Sequence, residues 1–176
     1  MKKQQAEIKV SNLTLGYGDF ILMKDISFQV NKGDVFIIMG ASGGGKSTLL
    51  KALTGLLQPF SGQICIDGTD FTTATPRQRN EIMRHCGILY QSGALFSSMT
   101  LAENIALPLQ RYTNYSARLI KELVSLKLAL VGLTGFEDFY PSEISGGMNK
   151  RAGLARALAL DPKIVYFDEP SAGLDP

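Results

Sequence analysis

The feature of this sequence that most constrains its fold is a glycine-rich run between an apolar segment, 35–39, and a segment of helix-forming residues, 49–53. The run consists of Gly40, Ala41, Ser42, Gly43, Gly44, Gly45, Lys46, Ser47 and Thr48. A strand, a glycine loop and a helix in this order are the context in which the pattern G-x-x-x-x-G-K-[ST] binds phosphate. The glycines let successive backbone N–H groups point at one anion, and the start of the helix adds its positive dipole end. The run therefore predicts a loop for the phosphates of a nucleoside triphosphate, with a plain turn as the structural alternative.

Two side chains of this loop have predicted roles of their own. Lys46 would reach the β- and γ-phosphates, and the Ser47 hydroxyl would take a position on Mg²⁺.

A second set of polar side chains follows two apolar segments that are expected to be strands. Asp168 and Glu169 end the segment 164–167, and Gln91 follows the segment 86–90. Ligands of open α/β sheets bind at the carboxyl ends of parallel strands. Asp168 is therefore expected to hold Mg²⁺ through a water, Glu169 to act as general base on the attacking water, and Gln91 to contact both. The alternatives are a helix cap or solvated turn for the two acids and an ordinary loop position for Gln91.

Hydrophobic periodicity divides the chain into a β-rich first part and a helical later part. Strands are expected at 7–15, 25–30, 35–39, 63–67, 86–90 and 164–167, and helices at 46–57, from 76, at 101–107 before Pro108, at 116–131 and at 149–160. The patterns Thr-x-x-Gln at 75–78 and Thr-x-x-Glu at 100–103 predict capping boxes. The segment 92–144 is interpreted as a helical insertion within an α/β core made of 1–91 and 145–176.

A serine and two glycines, Ser145, Gly146 and Gly147, precede the last expected helix. They would present a hydroxyl and free N–H groups to an anion. Because the loop at 40–48 already provides a phosphate site, this second site is redundant in a monomer. The presence of this second site is explained if it closes over the γ-phosphate that another copy of the chain holds. In this combination of motifs the chain resembles the ABC ATPase family over nearly its whole length.

The resemblance implies a fold and a role for each motif. The fold is an α/β P-loop NTPase of the RecA-like type, with an antiparallel β subdomain and an inserted helical subdomain. Tyr17 matches the aromatic loop that stacks on adenine, although its place in a turn leaves open that it only covers the sheet edge. The remaining motifs are the phosphate loop at 40–48, the Q-loop glutamine Gln91, the signature at 144–148, the Walker B strand at 164–169 and the D-loop at 171–175.

The sequence departs from the family pattern in two respects. Met148 stands where most of the family has glutamine, whose hydrogen bonds methionine cannot make. The family's switch histidine lies on a later strand than any in these 176 residues. The only histidine, His85, is expected to be an ordinary surface or cap residue, so the chain is expected to be a C-terminally incomplete ABC nucleotide-binding domain.

The segments 91–96, 145–148 and 151–160 resemble one branch of the family, the ATPase subunits of Mla-type (toluene-tolerance type) transporters. These traffic phospholipid between the inner and outer membranes of Gram-negative bacteria. The resemblance implies a homodimeric ATPase that uses ATP and Mg²⁺, peripheral on the cytoplasmic face of the inner membrane. Its implied partners are integral membrane permease subunits and a periplasmic-side lipid-binding subunit of the MCE type. The permease is expected to dock near 91–107, where four apolar residues suit either a groove or the core: Leu95, Phe96, Met99 and Leu101.

Composition limits the other classes of function. A net charge of +2 argues against a strongly basic nucleic-acid binder, and no nucleic-acid partner is expected. No apolar run approaches the roughly 18 residues of a membrane span, and the N-terminus lacks a signal peptide's apolar region. Cys65 and Cys86 have no clustered partners and are expected to be buried thiols. The alternative functions are a soluble ABC ATPase without a transport role and a nucleotide-binding fragment without turnover.

Overall fold

The computed structural model describes residues 6–41 and 43–169, and the chain divides into two compact units, 1–83 and 84–176. The first unit contains an antiparallel sheet in the strand order β2-β1-β3-β4. Its strands and helices are β1 (Ala6–Tyr17), β2 (Phe20–Asn31), α1 (Lys46–Leu53), β3 (Ser61–Ile66), β4 (Thr69–Asp70) and α2 (Pro76–Met83). The predicted antiparallel β part of the fold is confirmed.

Strand β1 shows how an imperfectly alternating sequence buries one face. Ile8 and Val10 are buried, and a period of two would next bury the polar Asn12. Instead, Asn12 has a φ of 47°, and the pairing with β2 shifts register between Val10 and Leu13. This bulge returns Leu13 and Leu15 to the core. The residues that complete this core are Leu49, Leu50, Ala52, Leu53, Ile64, Ile66 and Phe71.

The predicted strand at 35–39 was wrong. These residues are not in a strand, and Val35 and Met39 are 91% and 88% exposed. A strand requires a hydrogen-bonded neighbour, and no strand in 6–41 or 43–169 pairs with this segment. Its described side-chain contact is local, because the ring of Phe36 stacks on that of Phe28 at 4.9 Å between centroids.

Helix α1 ends at Leu53, earlier than the predicted end near Leu57. Gly55 adopts a φ of 76°, and the N–H of Leu56 donates to the carbonyl of Lys51. A left-handed glycine just past the last turn ends a helix more effectively than the proline at 59.

The second unit combines a parallel strand pair with three longer helices. Its elements are β5 (Cys86–Leu89), α3 (Leu101–Tyr112), α4 (Ala117–Leu130), a short 3-10 helix (Pro141–Glu143), α5 (Gly146–Ala157) and β6 (Ile164–Phe167). The helices share a core whose buried members are Leu101, Ile105, Ala106, Leu109, Ile120, Val124, Leu128, Leu133, Ala152, Ala155 and Ala159. Strands β5 and β6 run parallel, with Leu89 opposite Phe167.

Capping residues predicted where helices begin, but a proline did not predict where α3 ends. The predicted capping box is present at Thr100 with Glu103, and the one predicted for α2 in the first unit is present at Thr75 with Gln78. Pro108 was expected to end α3, but the helix continues to Tyr112. The last turn is retained because Leu109 is buried in the core, which offsets the hydrogen bond that proline cannot donate.

The D-loop predicted at 171–175 falls outside the described residues, and the helical insertion at 92–144 stays a prediction. No helix within 6–41 and 43–169 is long and apolar enough to cross a bilayer.

Candidate nucleotide-binding site

The phosphate loop leads directly into α1 and has the backbone shape that only glycine adopts easily. Gly43 and Gly45 have φ values of 78° and 87°, in the left-handed region. A Cβ on Gly45 would lie 2.8 Å from the sulfur of Met23, a flexible side chain that would have to shift, so the left-handed φ is the main reason for glycine there. Gly44 donates its N–H to the carbonyl of Ala41 at 3.0 Å. Ser42 lies outside the described residues.

Lys46, the first residue of α1, folds back over this loop. Its ammonium donates to the carbonyl oxygens of Gly40 and Ala41, both at 3.0 Å. Lys46 is half-buried and both partners are neutral, so no counter-ion among them cancels the positive charge that an anion would meet. The first N–H groups of an α-helix have no partner within the helix, so α1 adds donors beside that charge.

Tyr17 lies at the end of β1, next to the first turns of α1. Its hydroxyl is 3.5 Å from Oγ1 of Thr48, and the ammonium of Lys51 is 5.9 Å from the ring centroid. The hydrogen bond with Thr48, followed by the effects of Lys51, lowers the pKa of Tyr17. The side chain is 48% exposed, so one part of it is free to stack on a base.

Gly16 explains why Tyr17 can take this position. A Cβ on Gly16 would lie 1.9 Å from the carbonyl oxygen of Phe20 and 2.7 Å from the ring of Phe60. Only glycine allows the two strands to approach so closely at the hairpin end.

The second unit brings the predicted catalytic side chains together at the carboxyl ends of β5 and β6. The Asp168 N–H donates to the Leu89 carbonyl at 2.9 Å, which extends the parallel pairing by one residue. The side-chain amide of Gln91 then donates to Oε2 of Glu169 at 3.3 Å. Asp168 is half-buried and Glu169 is exposed. The parallel strands therefore deliver an amide and two acids to one edge, as expected from the sequence.

Glu169 has an unusual backbone conformation. Its φ of 48° lies in the left-handed region, which costs a non-glycine residue on the order of 1–3 kcal/mol. Such conformations concentrate at functional sites, because the surrounding structure must impose them. The strained backbone turns the Glu169 side chain back towards Gln91.

The second predicted anion-binding element is the start of α5. Ser145 caps this helix, since its hydroxyl oxygen accepts from the N–H of Met148 at 3.2 Å. Ser145 and Gly146 are exposed, and a Cβ on Gly146 would meet nothing within 4 Å. Helix α5 was predicted to begin at Asn149, but the serine cap starts it at Gly146. Met148 packs its side chain against the helical core, so it fills an apolar position.

A groove of about 1070 Å³ runs along α3 and α4. Its lining includes Met99, Ala102, Ile120 and Val124 together with the acidic Glu103 and Asp138. Among the residues predicted for docking or core packing, Leu101 is fully buried in the core, Leu95 packs against it and Phe96 is exposed.

Sequence reasoning missed a polar pair in this unit, the buried Asn104 and the half-buried Arg156, whose side chains lie 3.4 Å apart. Asn104 is fully buried between Leu101 and Ile105, on the apolar face of α3. A polar residue at an apolar-face position was the available signal.

The lesser predictions have mixed outcomes. His85 is exposed, as expected of a surface residue. Cys65 and Cys86 are half-buried and form no disulfide. No group of three or more His, Cys, Asp or Glu within 6–41 and 43–169 is arranged to hold a metal ion.

Comparison with known proteins defines the class to which this fold and site belong. Residues 23–172 match the family model described as ABC transporter, so the chain belongs to the ABC transporter family. It aligns over 96% of its length with solved structures of a dimeric bacterial ABC transporter cassette (31% identity, TM-score 0.88) and of an ATP-binding cassette bound to ADP and Pi (30%, 0.87). The predicted fold class is confirmed.

Among curated relatives, the chain is 49% identical to the probable ribonucleotide transport ATP-binding protein mkl of Mycobacterium tuberculosis. It is 46% and 39% identical to the intermembrane phospholipid transport system ATP-binding protein MlaF of Haemophilus influenzae and of Escherichia coli. Each alignment covers 96% of this chain but only 47%, 64% and 63% of the respective relative. The chain therefore spans about half to two thirds of these proteins.

Proposed function

We propose that this chain is the ATP-binding subunit of a transporter, and that it hydrolyses ATP to drive phospholipid trafficking between the inner and outer membranes. The observation that carries the proposal is the Gln91–Glu169 hydrogen bond at the carboxyl ends of two parallel strands. It supports the proposal because a carboxylate beside an amide could act as general base while the amide orients the attacking water, as hydrolysis of a phosphoanhydride requires.

Each residue of the proposed site has a role that follows from its chemistry. The N–H groups of the glycine loop and the ammonium of Lys46 bind phosphate oxygens, while the ring of Tyr17 stacks on adenine. Glu169 accepts the proton of the attacking water, and Gln91 holds that water in place. Asp168 lies one residue earlier, where its carboxylate is half-buried.

The proposed metal ligands fit Mg²⁺ by their donor atoms. Ser47 offers a hydroxyl, Gln91 an amide oxygen and Asp168 a carboxylate, and Mg²⁺ prefers oxygen ligands and keeps several waters. When bound, Mg²⁺ neutralises charge on the β- and γ-phosphates.

A homodimer is proposed because the exposed start of α5 is a second anion site. Ser145, Gly146 and Gly147 offer a hydroxyl and N–H groups that a partner copy's nucleotide could engage. The dimeric state of the cassette at 31% identity supports this arrangement.

The proposed dock for a membrane permease is the groove along α3 and α4, whose lining overlaps the expected docking segment 91–107 at Met99 and the first half of α3. Its apolar floor suits an amphipathic segment, and Glu103 and Asp138 favour one that carries basic residues. Binding there would keep the subunit peripheral, on the cytoplasmic face of the inner membrane. An MCE-type lipid-binding subunit on the periplasmic side completes the proposed assembly.

The two kinds of named relative disagree on what is transported. MlaF proteins are named for intermembrane phospholipid transport and mkl for probable ribonucleotide transport. The Mla-type resemblance at 91–96 and 145–148 favours phospholipid, and the identity to mkl makes a ribonucleotide the second candidate.

The first experiment is ATP hydrolysis by the 176-residue chain with Mg²⁺, beside Lys46→Ala and Glu169→Gln. Loss of turnover in both variants supports the catalytic assignment, and turnover that survives Glu169→Gln overturns it. The transported substrate is then tested in vesicles that hold the membrane complex purified through a tag on this chain. ATP-dependent movement of a fluorescent phospholipid is expected. Movement of a labelled ribonucleotide instead would replace the lipid assignment.

A further inference from the structure

The loop that joins Gln91 to α3, residues 92–100, is fastened to α5 by Arg156. One guanidinium nitrogen donates to the carbonyl oxygens of Gly93 at 3.2 Å and Ala94 at 2.9 Å. The other donates to Oδ1 of Asn104 at 3.4 Å, and the guanidinium lies 5.7 Å from the ring centroid of Phe96. The Arg156 side chain thus binds the loop at Gly93, two residues after Gln91.

Asn104 secures the other half of this loop. Its Oδ1 accepts from the Phe96 N–H at 2.8 Å. Its amide donates to the carbonyls of Phe96 at 3.1 Å, Met99 at 3.1 Å and Thr100 at 2.9 Å. Because Asn104 is fully buried, water cannot reach its side chain, and these bonds satisfy polar groups that would otherwise have no partner there.

The backbone of the loop is held in a shape that it would not adopt alone. Gly93 and Ala94 have φ values of 75° and 50°, and the second of these is unfavourable for alanine. A Cβ on Gly153 of α5 would lie 2.8 Å from Gly93, so the loop and the helix touch backbone to backbone. Contacts from α5 therefore impose the path of the chain next to Gln91.

We propose that Arg156 is a positioning residue for hydrolysis, which sets the side chain of Gln91 against Glu169 by holding the carbonyls of Gly93 and Ala94. This rests on the proposed function of Gln91 and Glu169. The hydrogen bond between them is 3.3 Å long, near the upper limit for such bonds, so a small shift of residues 93 and 94 breaks it.

Lysine cannot replace arginine in this arrangement. A guanidinium is a planar fork that reaches two carbonyls and an amide oxygen at once, whereas an ammonium is a point charge. Burial lowers the pKa of Arg156 from its ordinary value, but an arginine stays charged at neutral pH, so the fork keeps its donors.

Arg151 provides a matched control on the same helix. Its guanidinium also donates to two backbone carbonyls, those of Val131 at 2.9 Å and Gly132 at 3.2 Å, just after α4. Arg151→Lys therefore makes the same chemical change on a loop that does not lead to Gln91.

The first test compares steady-state hydrolysis in Arg156→Lys, Arg151→Lys, Gln91→Ala and the double variant Arg156→Lys with Gln91→Ala. Arg156→Lys is expected to lower kcat about tenfold while KM for ATP changes less than about twofold, and Arg151→Lys to match the wild type. In the Gln91→Ala background the further loss should be less than about twofold, because the position of an absent side chain no longer matters. Losses that multiply overturn the proposal.

The second test does not depend on turnover. With ¹⁵N-labelled glutamine, the side-chain amide signal of Gln91 is assigned by its disappearance in Gln91→Ala. Arg156→Lys should move this signal towards that of a glutamine side chain without a hydrogen bond to Glu169, and Arg151→Lys should leave it in place. If wild-type chain shows no hydrolysis, the proposed function fails, but this signal still decides the positioning role. An unmoved Gln91 signal in folded Arg156→Lys overturns it.

Discussion

The side-chain amide of Gln91 donates a hydrogen bond to a carboxylate oxygen of Glu169, although the two residues are 78 positions apart in the chain. The parallel pairing of β5 with β6 causes this, because Leu89 lies opposite Phe167 and each strand ends within two residues of its functional side chain. The left-handed backbone of Glu169 completes the approach. An acid and an amide are thus placed to share one water, and this arrangement leads to the first prediction.

Glu169→Gln should lower the rate of ATP hydrolysis by about 10²- to 10⁴-fold while nucleotide binding remains. The amide keeps the size and hydrogen-bonding reach of the carboxylate, but it cannot accept the proton of the attacking water. A single-turnover assay with radiolabelled ATP measures the chemical step directly, and filter binding measures the bound nucleotide.

Glu122→Gln is the control for this change. Glu122 is exposed on α4 and pairs with Arg118 one helical turn away, a surface contact that contributes little. Its rate should equal that of the wild type. An equal loss in the two variants would show that a change of net charge, rather than the base, is responsible.

Lys46→Ala should weaken binding of ATP by about 10- to 150-fold, because a hydrogen bond to a charged group contributes roughly 1.5–3 kcal/mol. In the hydrogen bonds described, Lys46 contacts only carbonyls of its own loop, so the fold should lose little stability. Isothermal titration gives the affinity and urea unfolding gives the stability. Lys32→Ala, in the exposed turn after β2, is the control, and a comparable drop in affinity there would argue against a specific phosphate contact.

The site was more predictable from the sequence than the boundaries of its elements. Short patterns identify the groups that could bind a nucleotide: a glycine loop ending in Lys46, a serine cap at 145 and acids at the end of an apolar strand. Because these groups depend on local chemistry, they can be predicted from the sequence alone. The relation of Gln91 to Glu169 followed as well, because parallel strands bring their carboxyl ends to one edge.

Tertiary contacts decided the features that were predicted wrongly. The segment 35–39 has the apolar run of a buried strand, but pattern alone cannot supply a pairing partner. Pro108 lies within α3 because the burial of Leu109 outweighs the lost hydrogen bond. Arg156 gave no signal, since its function lies in which carbonyls it reaches after folding.

Tyr17→Ala should weaken ATP binding by about 5- to 150-fold, as expected if base stacking contributes about 1–3 kcal/mol. Tyr17→Phe should bind nearly as well as the wild type, because it keeps the ring and loses only the long contact to Thr48. Fluorescence titration with a labelled ATP analogue distinguishes the two. If phenylalanine binds as poorly as alanine, then the hydroxyl matters more than the ring.

Gly153→Ala should destabilise the fold by about 1–3 kcal/mol, the usual cost of an added group in a packed position. The new Cβ would lie 2.8 Å from both Cα and the carbonyl oxygen of Gly93, and neither atom can rotate away. Gly146→Ala, in the first turn of the same helix, meets nothing within 4 Å and should be neutral or slightly stabilising. Urea unfolding compares the two, and equal midpoints would disprove the close contact.

Cys86 should be protected from alkylation in the folded chain. Burial raises the pKa of its thiol to about 12, whereas an unfolded thiol titrates at about 8.5. Since only the thiolate reacts, iodoacetamide at pH 8 should modify Cys86 at least about 100-fold more slowly in the folded than in the urea-unfolded chain. Cys65→Ala leaves Cys86 as the sole thiol, so mass spectrometry follows one site. Equal rates would mean that the thiol is solvated.

The same pKa shift fixes the sign of a pH dependence in stability. Between about pH 8.5 and 12 the unfolded chain loses the Cys86 proton while the folded chain keeps it. The folded state then binds more protons, so this group's contribution is fully present below about pH 8.5 and decreases as the pH rises. The urea midpoint of unfolding should therefore decrease more between pH 7 and pH 10 for the Cys65→Ala chain than for a chain in which both cysteines are alanine. A parallel fall in the two chains would assign the alkaline loss to other groups.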